Sequence, residues 1–532
     1  MLLFAASLTP SLLPRSPTFQ GVVSGVALCS GYAVGCGIAR LWSFLAYSIP
    51  EGRADRPRGV LKRLLMTACL TTAAVCLWRA TAWQNSVRQL MGMDLVDDVR
   101  PFRVGLIALV IFASAILLVR LIVATFHFLA QRFHIFLPPR VGNLLGLVSV
   151  AAAFWAFTDG VIFKFGLQVA DASFQEVDAL IQDDLVSPTD STRSGSASSY
   201  VKWRDLGKQG RLFVTAGPTA AEISTVAGGD GLQPIRVYVG LNAAPTPKER
   251  AQLALRELLR VDAFSRSVLI VATPTGSGWL DPGAMNSIAY LHRGDVAFVA
   301  AQYSYLPSPL ALATAGAYGV ETSKALFEAM YGYWTTLPRN ARPRLYVFGL
   351  SLGALNADLS FDLHDILSDP FQGALWAGMP FRSVSRNEIT VTREPNSPAW
   401  LPRFRNGTVV RFMNQNGGLR APTSRWAPLR IAYLQYASDP VAFFDLKSFY
   451  REPEWLRTPR GPDVSPQFRW YPIVTALQLI ADIAAGTNAT PPGFGHNFAP
   501  AHYIDAWHAL TEPDGWTDAE LDRLKQKFRD AQ

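Results

Sequence analysis

The sequence predicts a doubly wound α/β domain with a mainly parallel sheet, preceded by an all-α domain of membrane-spanning helices. Three observations lead there. From residue 211 onward, apolar strand-like runs alternate with helical stretches, the pattern of a parallel sheet covered on both faces. Ahead of that domain lie four apolar stretches, each meeting the length of about 20 residues that crosses a bilayer core. Finally, Gly349-Leu350-Ser351-Leu352-Gly353 joins an apolar run, Arg344-Leu345-Tyr346-Val347-Phe348, to the helix-like Ala354-Leu355-Asn356-Ala357-Asp358-Leu359.

At 532 residues the chain has room for two or more domains. The pattern divides it into a helical domain over 1–170 with about four spans, a polar connector over 171–210 and an α/β domain over 211–532. Only 17% of residues are charged and the mean hydropathy is +0.15, which points to a membrane. The net charge is +8. There is no basic run with interleaved aromatics and no groove-reading motif, so nucleic acid is not an expected partner. The basic balance reads as membrane-flanking arginine plus a solvated face. Cys29, Cys36, Cys69 and Cys76 all fall in the first part, without CxxC or Cys/His ligand spacing. They read as small buried apolar residues, and no metal or cofactor is expected.

The apolar stretches cover 19–47, 61–83, 102–129 and 141–165. Gly21/Gly25 and Gly31/Gly35 have the small-xxx-small spacing that favours close helix packing in lipid, a route to self-association through the spans. The opening Met1-Leu2-Leu3-Phe4-Ala5-Ala6-Ser7-Leu8 is too short to span and lacks a basic leader. It reads as a re-entrant or interfacial stub. Arg53, Arg56, Arg58, Lys62 and Arg63 follow the first span, and Arg132 and Arg140 follow the third. Asp94, Asp97 and Asp98 follow the second, with Arg88 and Arg100. The positive-inside rule then predicts a multi-pass protein of the cell membrane with its α/β domain on the extracytoplasmic side; Arg15 at the outer end of the first span runs against this. Asp159 and Lys164 read as an interfacial pair at the exit of the fourth span. The connector is turn- and Ser-rich, with 175–181 as a short amphipathic helix and 191–199 as a flexible loop.

In the α/β domain, strands are expected at 211–215, 235–240, 267–272, 296–301, 345–348, 373–377, 409–413 and 431–436. Helices are expected at 248–261, 323–337, 351–363 and 474–485. A strand, a tight Gly-x-Ser-x-Gly turn and a helix form the nucleophile elbow of an α/β-hydrolase fold. A serine hydroxyl is a weak nucleophile and needs a base, itself oriented by an acid. Chain order in this fold is serine, acid, histidine. Ser351 is the expected nucleophile. Asp439 closes the 431–436 strand and is the expected acid, with Asp445 as the alternative and an N-cap before Pro440 as its structural reading. His496 lies in the Gly/Pro loop Pro491-Pro492-Gly493-Phe494-Gly495-His496 and is the expected base. His502 and His508 flank a helix, and His364 precedes the acid. The oxyanion donors are expected to be the amide of Leu352 and the loop Thr273-Pro274-Thr275-Gly276-Ser277-Gly278-Trp279, through Gly276 and Ser277; an ordinary glycine turn is the alternative. That loop lacks a P-loop lysine and a dinucleotide glycine pattern. Trp279, Tyr303 and Tyr305 are candidates for the substrate cleft, or else packing residues. His292-Arg293-Gly294-Asp295 reads as structural.

Taken together, Leu8-Thr9-Pro10-Ser11-Leu12-Leu13-Pro14-Arg15, Arg236-Val237-Tyr238-Val239-Gly240-Leu241, the 273–279 loop, Gln302-Tyr303-Ser304-Tyr305-Leu306-Pro307-Ser308, the elbow, Ala374-Leu375-Trp376-Ala377-Gly378 and Gly495-His496-Asn497 resemble the actinobacterial membrane-associated α/β-hydrolases with a multi-span N-terminal domain. The resemblance covers nearly the whole chain. It implies a serine hydrolase of the cell envelope, with Ser351 and His496 at the nucleophile and base positions. The family often has an acidic residue where Leu350 stands, a departure that bears on substrate preference.

The expected function is cleavage of acyl esters of lipids or acylated glycans of the envelope. One alternative is acyl transfer to an alcohol acceptor by the same triad, separable by product analysis. Another is a non-catalytic membrane scaffold, favoured if the protein resists fluorophosphonate.

Overall fold

The computed structural model describes residues 1–45, 55–158, 173–182, 184–308, 310–311, 316–422, 424–457, 459–486 and 489–531. The Asp159/Lys164 pair, Arg53, Asp183 and the end of the fourth apolar stretch lie outside the described residues. The chain groups into two compact units. One holds residues 1–169, 444–457 and 462–490; the other holds 170–443, 458–461 and 491–532.

The first unit opens with α1 (Leu2–Ser7), α2 (Pro17–Phe44), α3 (Asp55–Leu90), α4 (Pro101–His134) and α5 (Pro139–Thr158). Four of these helices contain stretches long and apolar enough to cross a membrane: Pro17–Phe44, Gly59–Leu90, Pro101–His134 and Pro139–Ala156. Most of their apolar side chains are exposed, as expected of helices whose solvent is lipid. A Cβ at Gly21 or Gly25 would come within 2.7 Å of Ile107 or Ile111 of α4, so small residues let these two helices close up. Gly31 instead takes the side chain of Leu3, 3.4 Å from its would-be Cβ, while Gly35 faces nothing within 4 Å. Helix α1 is therefore laid against α2, with Phe4 and Leu8 packed among Leu28, Ala73, Val104 and Ala108.

The second unit is a seven-stranded, all-parallel sheet, the core of an α/β-hydrolase fold. Its strands are β1 (Ile235–Val239), β2 (Val268–Thr273), β3 (Val296–Ala301), β4 (Arg344–Leu350), β5 (Gly373–Ala377), β6 (Val410–Met413) and β7 (Arg430–Leu434), in the order β1-β3-β2-β4-β5-β7-β6. Strands β1, β2, β3 and β5 are buried at every position, so they read as continuous apolar runs. Around them pack α6 (Gly207–Thr215), α7 (Pro247–Arg260), α8 (Pro282–Leu291), α9 (Gly316–Thr336), α10 (Leu352–Asp358) and α11 (Val384–Val391).

Residues 211–215, expected as a strand, are the end of α6. Leu206, Gly210, Phe213 and Val214 are all buried and recur at helical spacing, which outweighs the β-like local composition. The Ser-rich stretch expected as a flexible loop lies along the outer edge of β1. Ser194 N–H donates to the Arg236 carbonyl at 3.0 Å, Arg236 N–H to the Thr192 carbonyl at 3.2 Å, and Tyr238 N–H to Ser194 Oγ at 3.1 Å. This covers an edge that would otherwise expose unpaired backbone groups.

After β7 the chain leaves the second unit after Phe443, rejoins it over 458–461, and then contributes α12 (Val474–Ala485) to the first unit. It returns at Pro491 and ends with α13 (Pro500–Thr511) and α14 (Asp518–Asp530).

Candidate active site

Ser351 follows the last residue of β4 and caps α10, with φ 55° and ψ −124°. That is a strained conformation for a residue with a side chain. Glycine on either side makes the turn possible. A Cβ at Gly349 would come within 2.4 Å of the Ala354 nitrogen, and one at Gly353 within 2.3 Å of the Thr273 carbonyl oxygen. The turn is held to the next strand by Ser351 N–H, which donates to the Ala377 carbonyl at 2.9 Å. Ser351 is 7% exposed, and its hydroxyl has no hydrogen-bond partner among the described residues.

Asp439 lies five residues past β7 and is fully buried. Its Oδ1 accepts from the amides of Val441 at 2.8 Å and Ala442 at 3.3 Å. Its Oδ2 meets His496 Nδ1 at 2.7 Å. The expected acid and base are thus brought together. His496 sits on a short turn in which Gly493 N–H donates to the Asn497 carbonyl at 2.7 Å. Gly495 N–H donates to Ser438 Oγ at 2.8 Å, so the residue before the acid holds the residue before the base. Tyr436 braces the same turn: its ring stacks on Phe498 at 4.7 Å, and its hydroxyl accepts from Ala499 N–H at 3.2 Å.

The imidazole lies against Gly378, the residue after β5. A Cβ on Gly378 would come within 2.6 Å of His496 Cε1 and 2.8 Å of Phe498. Gly378 follows Ala377, whose carbonyl anchors Ser351, and it has φ 55°. His496 Nε2 is buried with no hydrogen-bond partner among the described residues. Ser351 follows the carboxyl end of β4 and His496 lies against Gly378 at the carboxyl end of β5, the ligand-binding edge of such sheets, with no hydrogen bond between the two side chains among the described residues.

The other expected site residues fall as follows. The Leu352 amide, first of α10, donates to no group among the described residues, as befits a helix N-terminus. The Gly276 amide is engaged, donating to Ser308 Oγ at 3.3 Å, whereas the Ser277 amide has no partner among the described residues. Their loop is fixed by Tyr238 Oη, which donates to the Gly278 carbonyl at 2.7 Å, and by Gln302 Nε2, which donates to the Ser277 carbonyl at 3.3 Å. Tyr303 is buried next to Asn356 of α10, and burial raises its phenol. Tyr305 donates to Asn242 at 2.5 Å, and Trp279 is half-buried against the core. The alternatives are occupied otherwise. Asp445 caps the turn Leu446–Phe449, His364 is exposed, and His508 Nδ1 meets Arg420 at 2.6 Å. His502 Nδ1 meets the Tyr436 hydroxyl at 2.6 Å, and His292 Nε2 meets Thr511 at 2.9 Å.

Two residues near the acid escaped the sequence reading, Ser438 and Arg386. Arg386 of α11 is buried, with Nε donating to Gln435 at 3.0 Å and its guanidinium 4.8 Å from the Phe443 ring centre. Burial lowers it to about 10, and the Asp439 carboxylate pulls it back up. A buried cation beside a buried anion offsets part of the desolvation of both. No groups of three or more metal-ligating side chains occur among the described residues.

An all-parallel sheet with a serine on a strained strand–helix turn defines the α/β-hydrolase class. The chain belongs to the alpha/beta-hydrolase family, which matches residues 235–524; the N-terminus of the same family matches residues 8–218. No curated protein and no solved structure matches it.

Gly378→Ala drives a methyl into the imidazole and imposes a side chain on a left-handed backbone. It is expected to slow reaction with a fluorophosphonate about a hundredfold, measured as labelling rate per folded molecule; a wild-type rate would contradict the packing argument. A second expectation concerns pH. Burial holds His502 at about 4 and His292 at about 3, against about 6.5 in the unfolded chain. Below that value the unfolded state binds more protons. The contribution to stability is therefore complete above about pH 6.5 and lost as pH falls toward 4. Melting curves should give a lower Tm at pH 4.5 than at pH 7, and His502→Gln should narrow the gap.

Proposed function

We propose that this is a membrane-anchored serine hydrolase that cleaves acyl esters, with lipids or acylated glycans of the cell envelope as substrates. The observation that carries the reading is the state of His496: Nδ1 is committed to a sealed carboxylate, and Nε2 is buried without a partner among the described residues. An Nδ1–H donating to Asp439 leaves the lone pair on Nε2, the tautomer a general base requires.

Ser351 Oγ attacks the acyl carbonyl carbon while its proton passes to His496 Nε2. Asp439 holds the ring and stabilises the imidazolium. The negative oxygen of the tetrahedral intermediate is met by the Leu352 amide and by the Ser277 amide, a donor of its loop with no partner among the described residues. The intermediate collapses as His496 returns the proton to the departing alcohol. A water, deprotonated by the same nitrogen, then releases the acid and restores the serine. Apart from that water and the substrate, every step uses groups the chain supplies.

The apolar helices support anchoring in a membrane, and the arginine-rich loops after the first and third spans support an extracytoplasmic α/β unit. Anchoring raises the local concentration of substrates that share the bilayer.

The test is activity-based labelling of wild type and Ser351→Ala in native membranes, with hydrolysis of a short-chain ester measured alongside. Wild type should label covalently and hydrolyse. Ser351→Ala should lose labelling and at least about a thousandfold of the turnover. Labelling that persists in Ser351→Ala would discard the nucleophile.

A further inference from the structure

The loop that follows β2 is held at all but one of its peptide units. Thr275 N–H donates to the Trp279 carbonyl and Gly278 N–H to the Thr275 carbonyl, both at 2.9 Å, so the loop closes into a tight turn. The Gly276 amide goes to Ser308 Oγ at 3.3 Å. The Ser277 carbonyl accepts from Gln302 Nε2 at 3.3 Å, and the Gly278 carbonyl from the Tyr238 hydroxyl at 2.7 Å. Peptide units 275–276, 277–278 and 278–279 are therefore each anchored. The unit between Gly276 and Ser277, which carries the Ser277 N–H, has no anchor among the described residues. A peptide unit is a rigid plane. With the planes on both sides fixed, the middle one keeps a single motion, a flip about its own ends. In a four-residue turn that flip demands a positive φ at the third residue, here Ser277. Glycine takes up such a φ readily and serine does not, and Ser277 is not among the residues with positive φ. The anchors and the serine's own Cβ thus set the direction of its N–H.

Two of the anchors are buried side chains with no part in the chemistry above. Gln302 and Tyr238 are both 0% exposed. Gln302 joins the chain ends of three strands. Its backbone N–H donates to the Val239 carbonyl of β1 at 2.9 Å, and its Oε1 accepts from Leu241 N–H at 3.2 Å. Its Nε2 serves the Ser277 carbonyl after β2 and, at 3.2 Å, the Ser304 carbonyl after β3. A side-chain amide offers two donors and an acceptor from one planar group, and both kinds are used here. Both side chains also crowd Gly278, which has φ 91°: a Cβ there would come within 2.5 Å of the Tyr238 hydroxyl and 2.9 Å of Gln302 Cγ.

The anchored loop stands beside the nucleophile's turn. Thr273 pairs with Gly349 across β2 and β4. A Cβ at Gly353 would come within 2.3 Å of the Thr273 carbonyl oxygen and 2.9 Å of that of Pro274. Leu306 and Ala311 pack with Leu352. The same two residues border Gly276, whose would-be Cβ lies 2.8 Å from the Leu306 carbonyl oxygen and 3.0 Å from Ala311 Cβ.

Resting on the serine mechanism proposed above, we propose that Gln302 and Tyr238 are positioning residues for the reaction: by holding the Ser277 and Gly278 carbonyls they keep the Ser277 amide in one direction, ready for the charge that develops on the acyl oxygen. A donor aimed before the charge appears needs no reorganisation when it does.

The test uses the full chain in native membranes, with Tyr238→Phe, Gln302→Met and Ser277→Gly beside wild type and Ser351→Ala. Active molecules are counted by fluorophosphonate labelling carried to completion. Three quantities are then read per labelled molecule: kcat and KM on a small soluble ester, and the affinity for a trifluoromethyl ketone, which forms a tetrahedral oxyanion on a reactive serine. Removing a whole oxyanion donor costs about a hundred- to thousandfold in kcat. Misdirecting one should cost less, about tenfold for Tyr238→Phe and about thirtyfold for Gln302→Met. Ser277→Gly keeps every anchor and frees only the flip, so about fivefold is expected; it carries the test if the buried variants do not accumulate. Affinity for the ketone should fall in step with kcat while KM stays near the wild-type value, because the interaction lost is one made in the transition state. A role confined to folding would lower the number of labelled molecules and leave kcat and ketone affinity per molecule at wild-type values; that result, or a loss in KM alone, would overturn the proposal. Undiminished labelling of Ser351→Ala would instead overturn the serine mechanism, so the two failures are distinguishable.

Discussion

A carboxylate sealed from water must be answered by donors, and Asp439 is answered on both oxygens. Two backbone amides take Oδ1 and an imidazole takes Oδ2. This one constraint sets the rest of the site. It fixes which face of His496 is turned toward the acid, and so which nitrogen is left over. It explains why the acid loop is built as it is, with Ser438 gripping the histidine turn, Tyr436 bracing it and Arg386 buried nearby. In a low-dielectric setting these polar groups reinforce one another, and each would be costly if left alone.

The sheet brings the parts within reach through its strand order. The chain passes from β5 to the outer edge as β6 and only then fills the gap beside β5 as β7. Serine, glycine notch and acid are thereby carried by three adjacent strands: β4 delivers Ser351, β5 delivers Gly378 and β7 delivers Asp439. A direct passage to the neighbouring position would have sent the acid one strand further out. The register agrees, since Leu350 pairs with Ala377 and Ala377 with Leu434, so all three turns emerge at one level.

How much of this was legible beforehand depended on how local each signal was. The turn that carries Ser351 was readable because a strained turn demands glycine at fixed offsets. The meeting of Asp439 with His496 was readable because chain order and loop chemistry narrowed the choice. The strand at 211–215 was misread because five residues hold too little of a helical period; the buried Leu206 and Gly210 complete it. The Ser-rich edge cover was misread because hydroxyls that satisfy a strand edge look, in sequence, like hydroxyls in solvent. The burial of Arg386 and Arg15 gave no local sign. Burial of arginine is set by what folds around it, and the partner of Arg15 stands 467 residues away.

That distant pair also accounts for the residue types at the amino end. A lysine there could offer a point charge to Asp482, but a guanidinium has a planar array of donors. Arg15 uses that array to serve the carboxylate and the Gln478 carbonyl together. The serine at position 11 then supplies a further donor to the same carboxylate oxygen. Ordering these groups in an apolar surrounding demands that the segment before α2 follow one path only. Pro10 and Pro14 reduce the alternatives available to the unfolded chain before any bond forms. The short polar stretch before α2 is a preorganised receptor for one carboxylate, and the helix bearing that carboxylate lies in the chain between Asp439 and His496.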